Sequence, residues 1–410
     1  MRILHTADLH LGQILYQYYE RTDEHNHFFD QLRQWCDIYK PDALVVSGDI
    51  FDIQQPSAAV KDFFNRSFVS LHLQFPDIQI VIAAGNHDSA ARIEADREVW
   101  GMSGVKLVGH GPSVDAATQP DGWQERFVVE LPTGYIVVLP FVASLRSDTL
   151  QSLLDYVDQR NADGRPVVMM AHQAVSGSDT TGHSDVGNLR DLGIGDFGTG
   201  YDYLALGHIH RAQTIGHPLA DENNEHSSYA AGIARYSGSA LHVSCDEQYP
   251  HTVSLVDIDR HGGTVELTRL RIDELRHFFI LPPNGTPAAS SAEEVYDMVD
   301  GFCRETGSGY IRLRIDRRTP IPVDFVQTIY RRLEETGNEV RFNPKTVFEN
   351  DDEQPEEAVR PVFEIAELKQ MTDPLDFVRK MIDSFPELDI NQLEEDFKEV
   401  ENEIRKGQES

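Results

Sequence analysis

Cysteine is scarce in this sequence, and long hydrophobic runs are absent. The three cysteines, Cys36, Cys245 and Cys303, are odd in number and widely spaced, which excludes a disulfide framework and a cysteine-based zinc motif. We therefore expect reduced thiols. No run of eighteen apolar residues occurs, so no membrane span is expected. The N-terminus has no secretory hydrophobic region, which predicts a cytoplasmic protein.

Positive charge is also scarce, since 36 Lys and Arg stand against 68 Asp and Glu, a net charge of −32 at pH 7. Proteins that bind DNA unaided usually present a basic surface, because neutralising phosphates dominates their affinity. A DNA-binding role would therefore need bound divalent metal ions or a partner protein to supply positive charge. The composition is otherwise that of a globular protein, and a length of 410 residues predicts two or three domains.

Short apolar runs alternate with amphipathic stretches over the first 260 residues. Helical spacing of apolar residues predicts a helix over 28–39. Strands are predicted at 2–7, 43–47, 78–84, 135–140, 167–171, 203–206 and 254–259. Strands that alternate with helices predict an α/β layered sandwich, which we place at residues 1–262.

The pattern changes from residue 263 onward. A strand at 309–316, a helix at 325–333 and a short strand at 339–342 predict a small α+β capping domain over 263–345. Acidic residues and prolines predict a linker at 346–372. Residues 373–410 are predicted to be helical, because their apolar side chains recur at helical spacing, as at Leu393, Phe397, Val400 and Ile404. Their position beyond the acidic linker favours binding to a partner over packing against the capping domain of the same chain.

Polar residues follow five of the predicted strands: Asp8 and His10, Asp49, Asn86 and His87, His172, and His208 and His210. Ligand sites in α/β folds gather at the carboxyl ends of strands, so these side chains can converge on one site. Three of the motifs have a simpler explanation when taken alone: Asp8 and His10 would be an incidental pair, Asp49 would cap a turn, and His172 would be an ordinary core histidine. The motifs with Asn86 and His87 and with His208 and His210 are stronger signals.

The five motifs together are far more specific than any one of them. Their side chains offer oxygen and nitrogen ligands without cysteine, which suits Mn²⁺, Mg²⁺ or Fe²⁺ better than structural zinc. Two such ions roughly 3.5–4 Å apart can activate water and hold the attacking and leaving oxygens of a phosphate ester. The sequence therefore predicts a two-metal phosphoesterase.

In this order the motifs resemble those of the calcineurin-like metallophosphoesterase superfamily. Within it, residues 1–12, 46–52, 203–213 and 235–239 are similar to DNA nucleases that act with SbcC-type coiled-coil ATPases. The resemblance covers about residues 1–260 in sequence and the remainder only in layout.

The resemblance implies a role for every candidate residue. One metal would be held by Asp8, His10, Asp49 and His210. The other would be held by Asp49, Asn86, His172 and His208, with Asp49 bridging. His87 would face the scissile phosphate as a proton donor or transition-state stabiliser.

The resemblance also implies an activity and partners. The enzyme would use Mn²⁺ and act as a 3′–5′ exonuclease on double-stranded ends and an endonuclease on single strands and hairpins, in DNA repair, recombination and replication. The capping domain would face DNA, and the C-terminal helices would dock on the ATPase. Two nuclease chains would form a homodimer within a heterotetramer.

Other functions remain open at this stage. A phosphodiesterase for a small nucleotide would share all five motifs, although the additional 150 residues argue against it. A protein phosphatase is disfavoured because Asp49 lacks the expected Arg-Gly continuation, and a non-catalytic scaffold is not favoured by any residue. Residues 217–232 are rich in His and acidic residues and are predicted to be a solvated loop, with an additional metal site as the alternative. Asp52 stands where archaeal relatives carry histidine, and its role is open.

Overall fold

The computed structural model describes residues 1–16, 18–113, 119–144, 147–181 and 192–349, which form mixed β-sheets flanked by helices. The strands are β1 (Arg2–Thr6), β2 (Ile14–Leu15), β3 (Tyr19–Glu20), β4 (Ala43–Ser47), β5 (Gln79–Ala83), β6 (Val105–Val108), β7 (Val128–Leu131), β8 (Gly134–Leu139), β9 (Val167–His172), β10 (Tyr203–Gly207), β11 (Gln213–Thr214), β12 (His226–Ala230), β13 (Ile233–Tyr236), β14 (Thr252–Ile258), β15 (Thr264–Arg271), β16 (Phe278–Leu281), β17 (Ser308–Asp316) and β18 (Glu339–Glu349). The helices are α1 (Thr22–Tyr39), α2 (Ala58–Gln74), α3 (Ala90–Ala95), α4 (Arg97–Met102), α5 (Ser147–Asp158), α6 (Ala292–Thr306) and α7 (Phe325–Thr336). The α/β class predicted from the sequence is confirmed.

The first sheet has seven strands in the order β12-β15-β14-β1-β4-β5-β6. Strands β1, β4, β5 and β6 are mutually parallel, and β14 runs antiparallel to β1. The apolar runs of β4 and β5 are buried on both faces, as parallel strands covered on both sides require. Helices α1 and α2 cover the outer face with aromatic side chains, among them Phe29 and Phe68, whose ring centroids lie 5.3 Å apart.

The second sheet has six strands in the order β11-β13-β10-β9-β8-β7, of which β8, β9, β10 and β13 are parallel. Helix α5 buries an apolar stripe made of Leu150, Leu153, Leu154 and Val157. Residues from both sheets, such as Val45 and Met169, belong to one hydrophobic core. The two sheets therefore pack against each other as layers, with the parallel strands of each at the centre.

The segment 217–232 is more ordered than the sequence analysis predicted. The prediction of a solvated loop is wrong for β12, which pairs antiparallel with β15 at the edge of the first sheet. The Glu222 carboxylate lies 2.7 Å from Nη1 of the buried Arg235 and 2.9 Å from Nε of Arg269. A polar stretch of sequence can still be ordered when it supplies the partner of a buried arginine, because an unpaired buried charge is costly.

Strand β15 continues the first sheet beyond residue 263, and a separate three-stranded sheet follows in the order β16-β17-β18. Helices α6 and α7 bury its hydrophobic face. Ser291 caps the N-terminus of helix α6, because its Oγ accepts the Glu294 backbone N–H at 3.2 Å. Strand β18 runs to Glu349, past the predicted end at 342. Pro344 is tolerated there because β18 is an edge strand and its pairing with β17 is irregular at that point.

Tyr310 of the three-stranded sheet connects that sheet to helix α1. Its ring stacks on Phe278 at 4.6 Å, and its hydroxyl donates to the Glu24 carboxylate at 3.1 Å. The predicted domain boundaries stay predictions, and the chain from residue 350 onward, with the predicted helices at 373–410, lies outside the described residues. Across the described part of the chain, no helix combines the length and apolar character that a membrane crossing requires.

Candidate metal centre

The eight candidate residues lie where parallel strands of the two sheets end. In the first sheet they follow β1, β4 and β5, and in the second sheet they end β9 or follow β10: Asp8, His10, Asp49, Asn86 and His87, then His172, His208 and His210. The carboxyl ends of parallel strands share one edge of a sheet, so packing the two sheets together brings these residues together. The structure thus places all eight in one region.

The first cluster comprises Asp8, His10 and His210, which are all buried. One ligand atom from each lies within 4.8 Å of the others. Nε2 of His10 and Nε2 of His210 are 3.2 Å apart. Two ring nitrogens and a carboxylate are therefore directed at the same small volume.

The second cluster comprises Asp49, His172 and His208, also buried, with ligand atoms within 4.8 Å of one another. Oδ1 of Asn86 lies 2.9 Å from Nε2 of His172 and 3.0 Å from Nδ1 of His208. Oδ2 of Asp49 is 3.4 Å from Nε2 of His172 and 4.0 Å from Nε2 of His10. The Asp49 carboxylate therefore belongs to the second cluster and lies on the side of it that faces the first.

The donor atoms fit divalent cations. Nδ1 of His172 donates to the Ser47 carbonyl oxygen at 2.8 Å, and Nδ1 of His210 donates to Glu247 at 2.8 Å. Each bond leaves the Nε2 lone pair of that ring for a metal, which is the usual arrangement of metal-binding histidines. Lone pairs of several donors that converge at this distance repel one another unless a cation lies among them.

Four of the candidate residues adopt an unusual backbone conformation, namely Asp8 (φ 51°), His10 (φ 45°), Asp49 (φ 48°) and His208 (φ 106°). Positive φ is uncommon for residues other than glycine and costs on the order of 1–3 kcal/mol each at such sites. Tertiary contacts hold the conformation, since the His208 N–H donates to the Asp8 carboxylate, 200 residues away in the chain, at 3.0 Å. Strain of this kind collects at functional sites, which supports a functional role for this one.

Glycine is required where the two sheets approach each other. Gly48 has φ 89°, and a Cβ there would overlap the His172 ring. A Cβ at Gly207 would overlap the Ser47 carbonyl oxygen. Both glycines directly precede a candidate ligand. Only a residue without a side chain permits the two sheets to come this close.

Burial and charge shift the titration of the clustered groups. Burial raises the pKa of Asp8 to about 7, although the facing His172 opposes the shift. Burial acts in the same direction on Asp49, but His172 and His10 outweigh it and hold the Asp49 pKa below its usual range. Burial alone would lower the pKa of His172, yet the Asp49 and Asp8 carboxylates raise it to about 9. The negative potential that favours a protonated imidazole also favours a bound cation.

His87 differs from the other candidates because it is only partly buried and belongs to neither cluster. Its backbone N–H donates to Oδ1 of Asp49 at 2.9 Å, and its Nδ1 donates to the Asp52 carbonyl oxygen at 2.9 Å. Its ring centroid lies 5.0 Å from that of His10. The ring is thus fixed beside the clusters, with Nε2 as the nitrogen that can exchange a proton with a substrate.

Two buried acids that support the site escaped the sequence analysis. Asp88 accepts the backbone N–H groups of Gly85 at 2.7 Å, Phe51 at 2.9 Å and Ile50 at 3.1 Å, and so ties together the loops after β4 and β5. Burial, together with Asp49, raises the pKa of Asp88 to about 6. The motif that contains Asn86 and His87 also contains Asp88, so a sequence signal existed for it.

Glu247 is fully buried and holds Nδ1 of His210 through Oε1, while its Oε2 accepts the Val243 N–H at 2.9 Å. It lies 37 residues after His210 and in no motif, so no pattern in the sequence indicated it.

We expect Glu247→Gln to weaken metal binding by about 10–100-fold, because losing the carboxylate partner lowers the basicity and order of a ligating histidine. The measurement is the Mn²⁺ concentration that gives half-maximal phosphodiesterase activity. Asp246→Asn is the matched control, since Asp246 is the adjacent acid and is exposed. Equal metal requirements for both variants would remove Glu247 from the site.

Comparison with known proteins agrees with this geometry. Residues 1–212 match the family model of the calcineurin-like phosphoesterases, and the chain therefore belongs to that family. Within the family it is a homologue of SbcD, a component of the nuclease SbcCD, so the resemblance drawn from the motifs is confirmed.

Three SbcD relatives illustrate the extent of the similarity. The chain is 32% identical to SbcD of Escherichia coli K12 over 290 residues, which cover 62% of this chain and 65% of the relative, just under two thirds of its length. SbcD of Rhodobacter capsulatus is 28% identical over 77% of this chain and 81% of its own length. SbcD of Bacillus subtilis is 30% identical over 63% of this chain and 66% of its own length.

Proposed function

We propose that this chain is a two-metal phosphodiesterase that hydrolyses DNA as the nuclease component of a complex with an SbcC-type ATPase. The observation that carries the proposal is the pair of buried His/Asp clusters, with Asp49 on the side of the second that faces the first and the partly exposed His87 at their edge. The SbcD relatives are nucleases by name, which supports a nucleic acid as the substrate class.

The proposed ligand sets follow the two clusters. Asp8, His10 and His210 hold one ion, and His172, His208 and Asn86 hold the other, with Asp49 shared between them. The short distances from Asp49 to His172 and to His10 support its bridging role. The donors are nitrogen and oxygen without sulfur, which suits Mn²⁺, Mg²⁺ or Fe²⁺, and the resemblance to the SbcD nucleases favours Mn²⁺ among them.

Bound metal ions would supply an activated water and hold the attacking and leaving oxygens of the phosphodiester. The side chains of the protein position the reacting groups and protonate the leaving oxygen. His87 is locked through Nδ1 and presents Nε2 to the departing alkoxide oxygen, to which it gives a proton. The buried carboxylate of Asp88 keeps the Asn86 and His87 loop in place through its three backbone contacts.

A groove next to the clusters supports a polymeric substrate. A cavity of about 640 Å³ reaches Arg211, the residue after His210. Its lining also includes two further arginines, two aromatic residues and two glutamates, namely Arg269, Arg271, Trp35, Tyr249, Glu222 and Glu225. In a chain with a net charge of −32, a cavity in which three arginines outnumber two glutamates and aromatic residues are present supports a nucleic acid strand as the ligand. The 3′–5′ polarity, the action on hairpins, the homodimer and the cytoplasmic location form part of the same proposal.

The deciding experiment supplies Mn²⁺ with linear duplex, hairpin and supercoiled DNA, and in parallel with cyclic nucleotides and bis-p-nitrophenyl phosphate. We expect cleavage of linear and hairpin DNA. Hydrolysis of the small esters alone, with all three DNA substrates intact, would instead identify a phosphodiesterase for small nucleotides.

The C-terminal segment at 373–410 is proposed to bind the ATPase. Residues 351–410 carry 19 acidic and 7 basic residues, so this part of the chain should repel DNA rather than bind it. Its apolar residues at Leu393, Phe397, Val400 and Ile404 suit a helix that lies in a groove of a partner.

We expect deletion of 373–410 to leave Mn²⁺-dependent cleavage of short single-stranded DNA intact. The deletion should abolish co-purification with an SbcC-type ATPase and any stimulation of end processing by ATP. Co-elution of the truncated chain with the ATPase at wild-type stoichiometry would contradict the docking role. Loss of the thermal transition would show that the segment packs on its own chain instead.

A further inference from the structure

A second group of potential metal ligands lies apart from the two clusters. His242 and His251 come from the loop between β13 and β14, and Glu274 lies in the connection between β15 and β16. One ligand atom of each lies within 4.8 Å of the others. Nδ1 of His242 is 3.3 Å from Oε1 of Glu274. None of these three residues belongs to the motifs that identified the first two clusters.

His251 is the strongest indication of a ligand in this group. The residue is 1% exposed, and its Nδ1 lies 2.9 Å from the Ser239 carbonyl oxygen and 3.0 Å from the Ser239 hydroxyl. A bond from Nδ1–H to that carbonyl leaves a lone pair on Nε2, which has no hydrogen-bond partner among the described residues. A buried polar atom without a partner is costly and calls for an explanation, and an ion bound at Nε2 provides one.

The charges around the group also favour a cation. Glu247 faces the group, with Oε2 at 3.5 Å from Nε2 of His251, and Glu274 lies inside it. The nearby Arg21 is itself bound by Glu24 at 2.5 Å, and His277 contacts Glu274 from the surface side at 2.8 Å.

We propose that His242, His251 and Glu274 form a third metal site, which binds a divalent transition ion such as Zn²⁺ and has a structural role. Two imidazoles and one carboxylate are a protein ligand set that Zn²⁺ uses, with a fourth position left for water or a further ligand. The proposal does not depend on the proposed function, because the site shares no ligand with the two clusters.

The position of the site indicates what a bound ion would stabilise. The His242 ring stacks on Phe278 at 5.1 Å, and Phe278 begins β16 of the three-stranded sheet. Glu247 contacts both His251 and His210, so it lies between the third site and the first cluster. An ion at this position would join the loop before β14 to the connection that leads into the three-stranded sheet.

The test is a count of bound metal. Full-length protein is stripped of metal, dialysed against Zn²⁺ or Co²⁺ and analysed by elemental analysis, with Co²⁺ absorption reporting tetrahedral coordination. The variants are Glu274→Gln and His251→Gln, and the control is His277→Gln, which removes an exposed imidazole next to Glu274. We expect three equivalents in the wild-type protein and in the control, and two in each variant. Added Zn²⁺ should raise Tm further in the wild-type protein than in Glu274→Gln.

The difference of one equivalent between wild-type protein and Glu274→Gln is expected even if the two-metal proposal fails and the total is lower. If both variants keep the full amount of metal, the third site is overturned and the extra ion is assigned to the acidic surface. If His251→Gln does not fold, as judged by circular dichroism, Glu274→Gln decides alone. Glu274 lies at the edge of the buried region, and the substitution keeps its size.

Discussion

Asp49→Ala is expected to abolish DNA cleavage, with a fall in turnover of at least about 10³-fold, the largest effect of any substitution considered. The carboxylate belongs to the second cluster and faces the first, 3.4 Å from Nε2 of His172 and 4.0 Å from Nε2 of His10. Both proposed ions would lose a ligand at once, and two-metal chemistry depends on their spacing. Elemental analysis should show fewer equivalents of Mn²⁺ in this variant than in the wild-type protein.

Asp49→Asn tests the charge of this side chain separately from its hydrogen bond to the backbone. The amide oxygen can still accept the His87 N–H, which lies 2.9 Å from Oδ1 in the native protein, but it cannot bridge two cations as a carboxylate does. We expect a folded and inactive protein. Wild-type activity of either variant at saturating Mn²⁺ would show that the two-metal assignment is wrong.

His87→Ser is expected to lower turnover on DNA by about 10²-fold or more, within the range of general acid–base catalysis. Bound metal should remain near the wild-type amount, because His87 lies in neither cluster and is held through the Asp52 carbonyl oxygen. His110→Ser, at an exposed histidine, is the control and should behave as wild type.

A change of leaving group tests whether His87 donates a proton. The p-nitrophenolate of bis-p-nitrophenyl phosphate departs without protonation, whereas the alkoxide of DNA needs a proton. The loss caused by His87→Ser should therefore be much smaller on the p-nitrophenyl ester than on DNA. Equal losses on both substrates would favour transition-state stabilisation, and loss of metal together with activity would place His87 among the ligands.

The strand-end motifs were readable in the sequence because each is a local unit. An apolar strand, a glycine and a polar residue, as in β4 with Gly48 and Asp49, are adjacent in the sequence and together predict a strand that ends in a tight turn. The α/β class and the family followed from such units. The ligand roles of these residues are still proposals, although the structure brings the residues together.

Other features were not readable because they depend on partners far away in sequence. Glu247 becomes a partner of His210, and His251 meets Glu274, only after the loop before β14 folds back on the strand ends. Strand β12 lies in a polar stretch and forms because β15 offers a free edge. Propensity is a weak predictor when pairing and burial decide the outcome.

The sequence by itself determined the local geometry of each motif, since glycine at Gly48 and Gly207 and an apolar strand before each ligand set the turns that expose the polar side chains. Only the tertiary structure decided which of these side chains meet. Asp8 lies beside His208, and Asp49 beside His172, because parallel strands of two separate sheets end at one place. Such contacts span more than a hundred residues, and the packing of the shared core between the sheets, rather than any local preference, selects them.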